Sequence, residues 1–341
     1  MHENINLSEY SSLQLGGPAA YFFDCDSVES IIEALNFAEA KGLAAHVLGA
    51  GSNTLFADAG YNGVILHICL EGIHQSANHI HAAAGENWDS FVAYTVDQGL
   101  AGIECLSGIP GYVGASPIQN IGAYGQEVSE TIVSVKALKI ENRELLTFNN
   151  ADCDFSYRQS RFKSADKGAY IILEVTYELQ QNSEPQICYP ELAKQINSIE
   201  NYVDKSPQEK LQLVREHVLE IRKHKSMVLD PGDPNSISAG SFFMNPIISQ
   251  SEFEHLKKAF PEMPNYPNGD QIKIPAAWLV EQSGFHKGYT YKNAGVSEKH
   301  CLALINRNGS TADLIELAEQ IQNDVQKKFE IALQREPVYI E

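Results

Sequence analysis

Hydrophobic positions in the N-terminal part of the chain alternate between a helical and a strand-like period. Ser27 begins a helical pattern that ends at Gly42 and places four apolar residues on one face: Ile31, Ile32, Leu35 and Ala38. The segment 44–48 then predicts a buried strand. A second helix is predicted over 87–99, and its inward positions are Trp88, Phe91, Val92 and Val96. This alternation indicates an α/β arrangement.

The later part of the chain reads as strands followed by helices. Alternating patterns at 131–140 and 169–179 predict strands with turns between them. A boundary is expected near 197–206, where Ser206-Pro-Gln-Glu209 has the form of a capping box with proline at the first helical position. A last long helix begins at Ser310, and a short strand is predicted at 337–340. Because 341 residues exceed one ordinary core, two or three domains are expected.

Composition excludes several classes of function. The 25 Lys and Arg against 44 Asp and Glu give a net charge of −19, which argues against a nucleic-acid or anionic-membrane surface but not against an anionic small molecule held by a few cations. There is no apolar run of about 20 residues and no signal-peptide pattern, so a cytoplasmic protein is expected. The six cysteines are scattered without a CxxC pair, so no metal or redox site is expected and a reducing compartment is favoured.

Two glycine-rich segments are candidates for ligand binding. The segment Leu48-Gly-Ala-Gly-Ser-Asn-Thr-Leu-Phe56 follows the predicted strand, where glycines let backbone amides approach a diphosphate; a tight structural turn is an equally good interpretation. The segment from Gly108 to Gly125 holds five glycines, with small residues and amides, and suggests backbone wrapped closely around a ligand. A mobile surface loop is the alternative, but its isoleucines and valine disfavour solvent exposure.

The stretch Ser238-Ala-Gly-Ser-Phe-Phe-Met-Asn-Pro246 raises a question of chemistry. It places the hydroxyl of Ser241 between a glycine and two phenylalanines, so this serine is either a turn or helix cap or a proton donor at an apolar wall. The sequence around it does not decide between these two interpretations.

Together with Leu15-Gly-Gly-Pro-Ala19, the two glycine-rich segments resemble the FAD-binding part of the UDP-N-acetylenolpyruvoylglucosamine reductase family. Further stretches resemble that family as well: 156–163, 238–246, 277–283 and 335–337. The resemblance implies α/β and α+β domains, with a two-domain FAD-binding scaffold of the vanillyl-alcohol-oxidase type and a C-terminal α+β substrate domain. The implied divisions are 1–70 plus 332–341, 71–205 and 220–331. The segment Pro264-Asn-Tyr-Pro267 resembles the tyrosine-bearing loop of the longer subtype.

The resemblance also implies an activity. It implies reduction of UDP-N-acetylglucosamine-enolpyruvate to UDP-N-acetylmuramate for peptidoglycan, with non-covalent FAD and with NADPH as co-substrate. By position, Ser241, Arg158 and Glu336 match the catalytic residues. The positions that match FAD contacts are Gly49, Gly51, Ser52, Asn53, Gly111, Gly114, Ala115, Ser116, Gln119, Asn120, Gly122, Ala123 and Tyr124. Those that match contacts to the UDP-sugar and NADPH are Lys225, Asn245, Tyr189, Tyr266, Lys273, Lys287 and His300.

The chemistry agrees with these assignments. Reduction of an enolpyruvyl ether needs a hydride at one carbon, which the flavin provides, and a proton at its neighbour. Arg158 suits the substrate carboxylate because its guanidinium offers two parallel hydrogen bonds. Ser241 fits as the proton donor, and a buried Glu336 with a raised pKa would meet the anion that hydride addition creates. Phe242 and Phe243 are expected to keep water from the flavin.

Plainer alternatives stand beside each assignment. Arg158 could pair with Asp152 or Asp154 at the surface, Glu336 could be a solvated tail residue, and Lys225 could serve only the helix dipole. An oxidase on the same flavin scaffold, or a flavin-sensing module without catalysis, are the alternative functions. The expected partner is a UDP-sugar alone, without nucleic acid or membrane, bound by a monomer.

Overall fold

Strands and helices interleave along the chain in the structure, a computed structural model that describes residues 1–341. The strands before residue 182 are β1 (His2–Asn6), β2 (Pro18–Cys25), β3 (Ala45–Leu48), β4 (Thr54–Phe56), β5 (Tyr61–Ile68), β6 (Ile73–Ser76), β7 (His79–Ala83), β8 (Leu100–Ala101), β9 (Gly122–Ala123), β10 (Gln126–Glu127), β11 (Ile132–Lys139), β12 (Leu145–Asn149), β13 (Tyr170–Glu178) and β14 (Gln180–Gln181). The later strands are β15 (Ser238–Ser241), β16 (Ile247–Ser249), β17 (Tyr266–Asn268), β18 (Gln271–Lys273), β19 (Thr290–Tyr291), β20 (Ala294–Val296), β21 (Ala303–Asn306) and β22 (Val338–Ile340). The helices are α1 (Val28–Lys41), α2 (Trp88–Asp97), α3 (Pro190–Ile196), α4 (Pro207–His224), α5 (Gln250–Ala259), α6 (Ala276–Gln282) and α7 (Thr311–Phe329).

The chain divides into two compact units. Unit 1 consists of Met1–Ile5, Ala19–Ala50 and Asn62–Val228, and unit 2 consists of Asn6–Pro18, Gly51–Tyr61 and Leu229–Glu341. The finer division into three domains that the sequence suggests stays a prediction.

Unit 1 is built on two sheets. The first has the strand order β1-β2-β5-β3, and β3 runs parallel to β5. The second is antiparallel with the order β12-β11-β13-β7-β6. One hydrophobic core joins α1, α2 and both sheets, and among its buried residues are Leu66, Phe91 and Val175. The strands predicted at 131–140 and 169–179 are confirmed as β11 and β13.

Local capping explains where the helices of unit 1 begin and end. The Ser27 side chain accepts the amide of Ser30 at the start of α1, and Gly42 ends that helix with φ +64, a conformation that glycine adopts without steric cost. At α4, Ser206 and Glu209 form the reciprocal capping box, and Pro207 occupies the first helical turn. These predicted helix boundaries are confirmed.

Unit 2 combines a four-stranded sheet, β15-β21-β20-β19, with a three-stranded sheet, β16-β18-β17. The predicted C-terminal helix is confirmed as α7, whose inward residues join the core of the unit: Leu314, Leu317, Ile321, Val325 and Phe329. The predicted last strand is confirmed as β22, which pairs in parallel with β4 so that Val338 lies opposite Thr54. None of the seven helices combines the length and apolar character that crossing a membrane requires.

Candidate active site

Of the two glycines that follow β3, Gly51 is required by its packing and Gly49 is not. A Cβ atom at Gly51 would lie 1.8 Å from the Tyr10 carbonyl oxygen, and Gly51 has φ +62, so its own surroundings require glycine. A Cβ atom at Gly49 would instead make an ordinary 3.6 Å contact with the Tyr112 ring. Packing within unit 1 therefore does not require glycine at position 49. This agrees with the prediction that a diphosphate approaches the backbone closely at the carboxyl end of the parallel strand β3.

The glycine-rich loop of unit 1 is tied down by its own side chains. Asn120 is buried, donates from Nδ2 to the Glu127 carboxylate at 2.8 Å and to the Ser156 carbonyl at 3.0 Å, and accepts the amide of Ser129 at 3.1 Å. The Ser116 hydroxyl, fully buried, lies 2.7 Å from the Tyr177 hydroxyl. These two side chains hold the loop in place, so the loop is an ordered element rather than a mobile one.

Gly114 belongs to the same framework. A Cβ atom there would lie 2.6 Å from the Cβ atom of Ala84, and the Gly114 amide donates to the Ala84 carbonyl at 2.9 Å. This glycine is therefore required for close packing of the loop on β7 and the residues that follow it. Gly111, at φ +129, accepts the amide of Trp88 through its carbonyl at 3.0 Å. The loop thus packs on the start of α2.

Arg158 is anchored on that loop. Its guanidinium donates to the carbonyl of Asn120 at 3.3 Å and to the carbonyl of Gly122 at 2.6 Å, and it lies 5.4 Å from the centre of the Tyr157 ring. The backbone of Arg158 is left-handed, with φ +55, which is uncommon for a residue other than glycine. These two carbonyl acceptors, two positions apart in the loop, fix the plane of the guanidinium. Arg158 is therefore oriented by the same segment that the sequence assigns to the cofactor.

Tyr124, Tyr189 and Arg222 form a cluster at the end of the loop. The rings of Tyr124 and Tyr189 meet edge-on at 5.2 Å. Burial raises the pKa of Tyr124 to about 12, although Arg222 hydrogen-bonds to it and opposes that shift. Burial also lowers the pKa of the Arg222 guanidinium, against the opposing effects of Tyr124 and Asp89. At neutral pH the cluster is a phenol and a guanidinium, a polar pair held in an apolar setting.

The sequence did not single out Arg222. It belongs to the charged run Arg222-Lys-His-Lys225, and such a run at a helix end is usually solvated. The burial of Arg222 depends on its packing beside Gly108 and Tyr124, which the local sequence does not show. Lys225 caps the end of α4, and its Nζ lies 2.5 Å from the Glu191 carboxylate on α3. Tyr189 is the residue before α3, so α3 and α4 place it and Lys225 in the same region. The α3–α4 pair thus brings together two of the predicted substrate residues.

In unit 2, a β-bulge sets the position of Ser241. Ser238 pairs with Ile305 and Ser241 pairs with Ala303, so the β15–β21 register is irregular between these pairs, and Gly240 has φ +71 there. Such a bulge re-aims the side chains that follow it. Phe242 and Phe243 are each 1% exposed and belong to the hydrophobic core of unit 2. The pair of phenylalanines therefore anchors the strand in the core, and Ser241 is only partly buried at its end.

Glu336 lies beside this strand. Its amide donates to the Phe242 carbonyl at 2.9 Å, the amide of Met244 donates to the Gln334 carbonyl at 3.0 Å, and Phe243 forms a bridge with Arg335. The Asn53 side chain donates to the Glu336 carbonyl at 3.2 Å. Glu336 is therefore a partly buried residue held on both sides by backbone contacts, rather than the solvated tail residue that its place in the sequence suggests.

The other predicted substrate residues of unit 2 lie in three places. Tyr266 and Lys273 are directly opposite each other in the β17–β18 hairpin, and Tyr266 is 56% exposed. Asn245 accepts the amide of Ala276 at 2.8 Å and so caps the first turn of α6. His300 accepts the amide of Leu302 at 3.1 Å through Nδ1, and Lys287 hydrogen-bonds through its backbone with the adjacent Cys301 thiol. An exposed tyrosine opposite a lysine on a short hairpin is suited to contact a ligand.

Comparison with known proteins agrees with a division of the chain into an FAD-binding part and a C-terminal domain. Residues 19–148 match a model of an FAD binding domain, and residues 233–340 match the model of the UDP-N-acetylenolpyruvoylglucosamine reductase C-terminal domain. The expected FAD-binding scaffold with a separate C-terminal domain is thereby confirmed. Among solved structures, UDP-N-acetylenolpyruvylglucosamine reductase from Thermus caldophilus has the same fold, with a TM-score of 0.68 at 21% identity over 99% of this chain and 98% of that one.

Curated proteins match over nearly the whole chain. UDP-N-acetylenolpyruvoylglucosamine reductase of Thermobifida fusca is 42% identical over 99% of this chain and 97% of its own length. The protein of the same name from Streptomyces coelicolor is 41% identical over 98% of this chain and 88% of its own length. The protein of the same name from Mycobacterium tuberculosis is 38% identical over 99% of this chain and 95% of its own length.

Proposed function

The chain belongs to the UDP-N-acetylenolpyruvoylglucosamine reductase family, and we propose on that premise that it reduces UDP-N-acetylglucosamine-enolpyruvate to UDP-N-acetylmuramate with FAD and NADPH. The observation that carries the proposal is the approach of Glu336 to the strand that bears Ser241. It brings two of the three residues that the reaction requires into one place, from positions far apart in the sequence.

The residues of unit 1 fit an FAD group. Gly49 leaves space for a close approach to the backbone after β3, and the ordered loop 108–125 presents its backbone under the control of Asn120 and Ser116. When bound, FAD supplies the hydride chemistry, by taking up a hydride from NADPH and delivering it to the substrate double bond. Gly49, Gly111, Gly122, Ala123 and their neighbours in these loops would hold it through backbone contacts.

Arg158 binds the carboxylate of the enolpyruvyl group. Its fork of donors matches a carboxylate, and the two loop carbonyls that it contacts fix its orientation before the substrate arrives. A pre-oriented guanidinium stabilises the negative charge that develops on this carboxylate as the double bond is reduced. Arg158 therefore acts by electrostatic stabilisation and positioning.

Ser241 gives the proton. Its hydroxyl donates a proton to the carbon next to the carboxylate, at the end of a strand that the core fixes through Phe242 and Phe243. Glu336 stabilises the same anion as an acid that hydrogen-bonds to it, and its backbone contact with Phe242 keeps it near Ser241. A bulge on one side and a strand bridge on the other restrict both residues, which lowers the entropic cost of reaching the reactive geometry.

The anionic parts of the ligands are bound by a few cations. Lys225, Lys273 and Lys287 serve the diphosphate, while Tyr189, Tyr266, Asn245 and His300 contact the nucleotide and sugar. The whole chain carries a net charge of −19, so the rest of its surface is acidic and disfavours other polyanions. The protein acts as a cytoplasmic monomer on small molecules, with FAD bound non-covalently.

Anaerobic spectroscopy tests the proposal. The purified protein should show flavin absorption that bleaches when NADPH is added and returns when UDP-N-acetylglucosamine-enolpyruvate is added. An oxidase on the same scaffold would instead be reoxidised by O₂ at a comparable rate and would not respond to the sugar nucleotide. Flavin that NADPH does not reduce would identify a binding module without this activity.

A further inference from the structure

Side chains from three adjacent strands meet on one face of the first sheet of unit 1. The strand order is β1-β2-β5, and Asp24 lies near the end of β2, His67 near the end of β5 and Cys69 directly after it. Neighbouring residues on these strands, Phe23 and Leu66, point into the hydrophobic core, so the alternation of a strand places Asp24 and His67 on the opposite face. This cluster lies outside the residues assigned to the reaction.

The donor atoms of the cluster are close together. His67 Nδ1 lies 2.8 Å from Asp24 Oδ1 and 3.3 Å from Cys69 Sγ, and Cys69 Sγ lies 3.9 Å from Asp24 Oδ1. Ligands of a tetrahedral zinc ion, at about 2.0 to 2.3 Å from the metal, are separated from one another by about 3.3 to 3.7 Å. Small side-chain movements therefore suffice to bring these three atoms to one ion.

A fourth donor lies on the solvent side of the cluster. His2 Nε2, on β1, is 3.7 Å from Asp24 Oδ2. The side chains of His2 and Asp24 are 58% and 47% exposed, whereas that of His67 is 13% exposed, so an ion has a path from solvent to a partly enclosed site. The cluster thus offers sulfur, an imidazole and a carboxylate close together, with a second imidazole beside the carboxylate.

We propose that Asp24, His67 and Cys69 form a zinc site, with His2 as the nearest donor for the fourth position. A thiolate and imidazoles select Zn²⁺ over Mg²⁺ and Ca²⁺, which prefer oxygen ligands. Zinc binds cysteine as the thiolate, so the metal displaces the thiol proton of Cys69 when it binds. The site joins β1, β2 and β5 and is structural. The wide separation of its residues explains why the cysteine spacing gives no sign of it.

A second group of donors provides a control. His74, His81 and Glu174 lie on β6, β7 and β13, and the two histidine rings stack at 4.4 Å. This group has no sulfur, and His81 Nδ1 already lies 3.0 Å from the Thr176 hydroxyl. Its variants separate binding at Cys69 from binding elsewhere on the same unit. Cys188, an exposed free cysteine, is the matched control for loss of a thiol.

The test measures Zn²⁺ binding to the FAD-loaded protein after treatment with a chelator, by equilibrium dialysis with elemental analysis. We expect one tight equivalent per chain, an affinity at least about 100-fold weaker in Cys69→Ser and in Asp24→Asn, and no change in Cys188→Ser or His74→Gln. Flavin absorption confirms that each variant is folded. Co²⁺ added in place of Zn²⁺ should give a thiolate charge-transfer band that Cys69→Ser removes.

Three results would overturn the proposal. They are a wild-type protein without a tight equivalent of Zn²⁺, a Cys69→Ser variant that binds as tightly as wild type, and loss of the tight site in His74→Gln. Thermal unfolding is an independent measurement, because an ion that binds only the folded state stabilises it. Zn²⁺ should raise the melting temperature of wild type and of Cys188→Ser, and should leave that of Cys69→Ser unchanged.

Discussion

The amide of Glu336 donates a hydrogen bond to the carbonyl of Phe242 at 2.9 Å, one residue after Ser241. This contact joins the C-terminal segment to the β15 strand, and the bridge between Arg335 and Phe243 repeats it one residue away. The acid and the hydroxyl therefore share a backbone framework, so each can be changed at its side chain while that framework is kept.

Ser241→Ala should separate the two half-reactions. Reduction of the flavin by NADPH needs no proton from Ser241 and should stay near the wild-type rate. Reoxidation by the enolpyruvyl substrate should slow by about 10² to 10⁴-fold, the usual contribution of a positioned proton donor. Anaerobic stopped-flow absorbance measures each step separately. Ser251→Ala, at an exposed serine of the same unit, is the control and should change neither; an equal loss in both steps would mean that Ser241 is structural.

Glu336→Gln should also act on the second half-reaction. The amide keeps the size of the side chain and the backbone contact with Phe242 but cannot supply a proton, so reoxidation should slow while flavin reduction persists. The same stopped-flow experiment gives the result, with Glu341→Gln as the control at an exposed carboxylate. A variant with wild-type reoxidation would remove Glu336 from the mechanism.

The sequence predicts the helices α1, α2, α4 and α7 because their signals are local, whereas it does not predict α3, α5, α6 or most of the short strands. The cap at Ser27, the capping box at Ser206 and the apolar stripe of α7 lie within a few turns of the elements that they define. In the segment 108–125, Val113 is buried but Ile118 is 37% exposed, so the expectation that its apolar residues avoid solvent holds only in part. Phe242 and Phe243 lie in the core of unit 2, and the role expected for them in keeping water from the flavin stays a prediction.

The placement of the other site residues depends on contacts between segments that are distant in the sequence. Arg335 pairs with Phe243 and Glu336 with Phe242, and neither segment contains a local pattern that predicts this pairing. The burial of Arg222 likewise follows from packing near Gly108 and Tyr124, whereas its local sequence is that of a charged helix end. The zinc donors lie on three strands whose order the periodicity does not give. Motif resemblance identifies candidate catalytic residues, but not the contacts that hold them.

Arg158→Lys should weaken substrate binding while it keeps the charge. Lysine cannot donate to both loop carbonyls and also present two parallel hydrogen bonds to a carboxylate. We expect the substrate KM to rise by about 10 to 100-fold, as for loss of one charge-assisted hydrogen bond. Steady-state kinetics provides the measurement. Arg161→Lys is the control, because Arg161 bonds Asp166 and packs on Phe148, and its substrate KM should stay unchanged.

Asp89→Asn should lower stability in a pH-dependent way. The Asp89 carboxylate accepts two hydrogen bonds from Arg215, at 2.6 and 3.0 Å, and the amide of Gly108 at 2.6 Å. Burial raises the pKa of Asp89, but the Arg215 and Gly108 hydrogen bonds outweigh it, and the pKa is lowered overall. The stabilisation is therefore present above the unfolded pKa and is lost as pH falls through the folded one.

The expected loss for Asp89→Asn at pH 7 is about 1 to 3 kcal/mol in the free energy of unfolding. The difference from wild type should shrink below about pH 4. Urea unfolding at several pH values measures both effects. Asp97→Asn, on the same helix but exposed, should match wild type at every pH. A difference that does not vary with pH would show that the carboxylate charge is not what stabilises the loop.

Acid should destabilise the fold through His46 in β3. Burial lowers the pKa of His46 to about 4, from an ordinary value near 6.5, so the folded state holds it neutral while the unfolded state takes up a proton as pH falls below 6.5. The unfolded state therefore gains stability relative to the folded one between pH 6.5 and pH 4, by about 1 to 2 kcal/mol at pH 5. His46→Gln should remove this part of the pH dependence when urea unfolding at pH 7 and pH 5 is compared. His255→Gln, at an exposed histidine, should retain it, and an equal change of stability with pH in wild type and His46→Gln would assign the acid sensitivity to other groups.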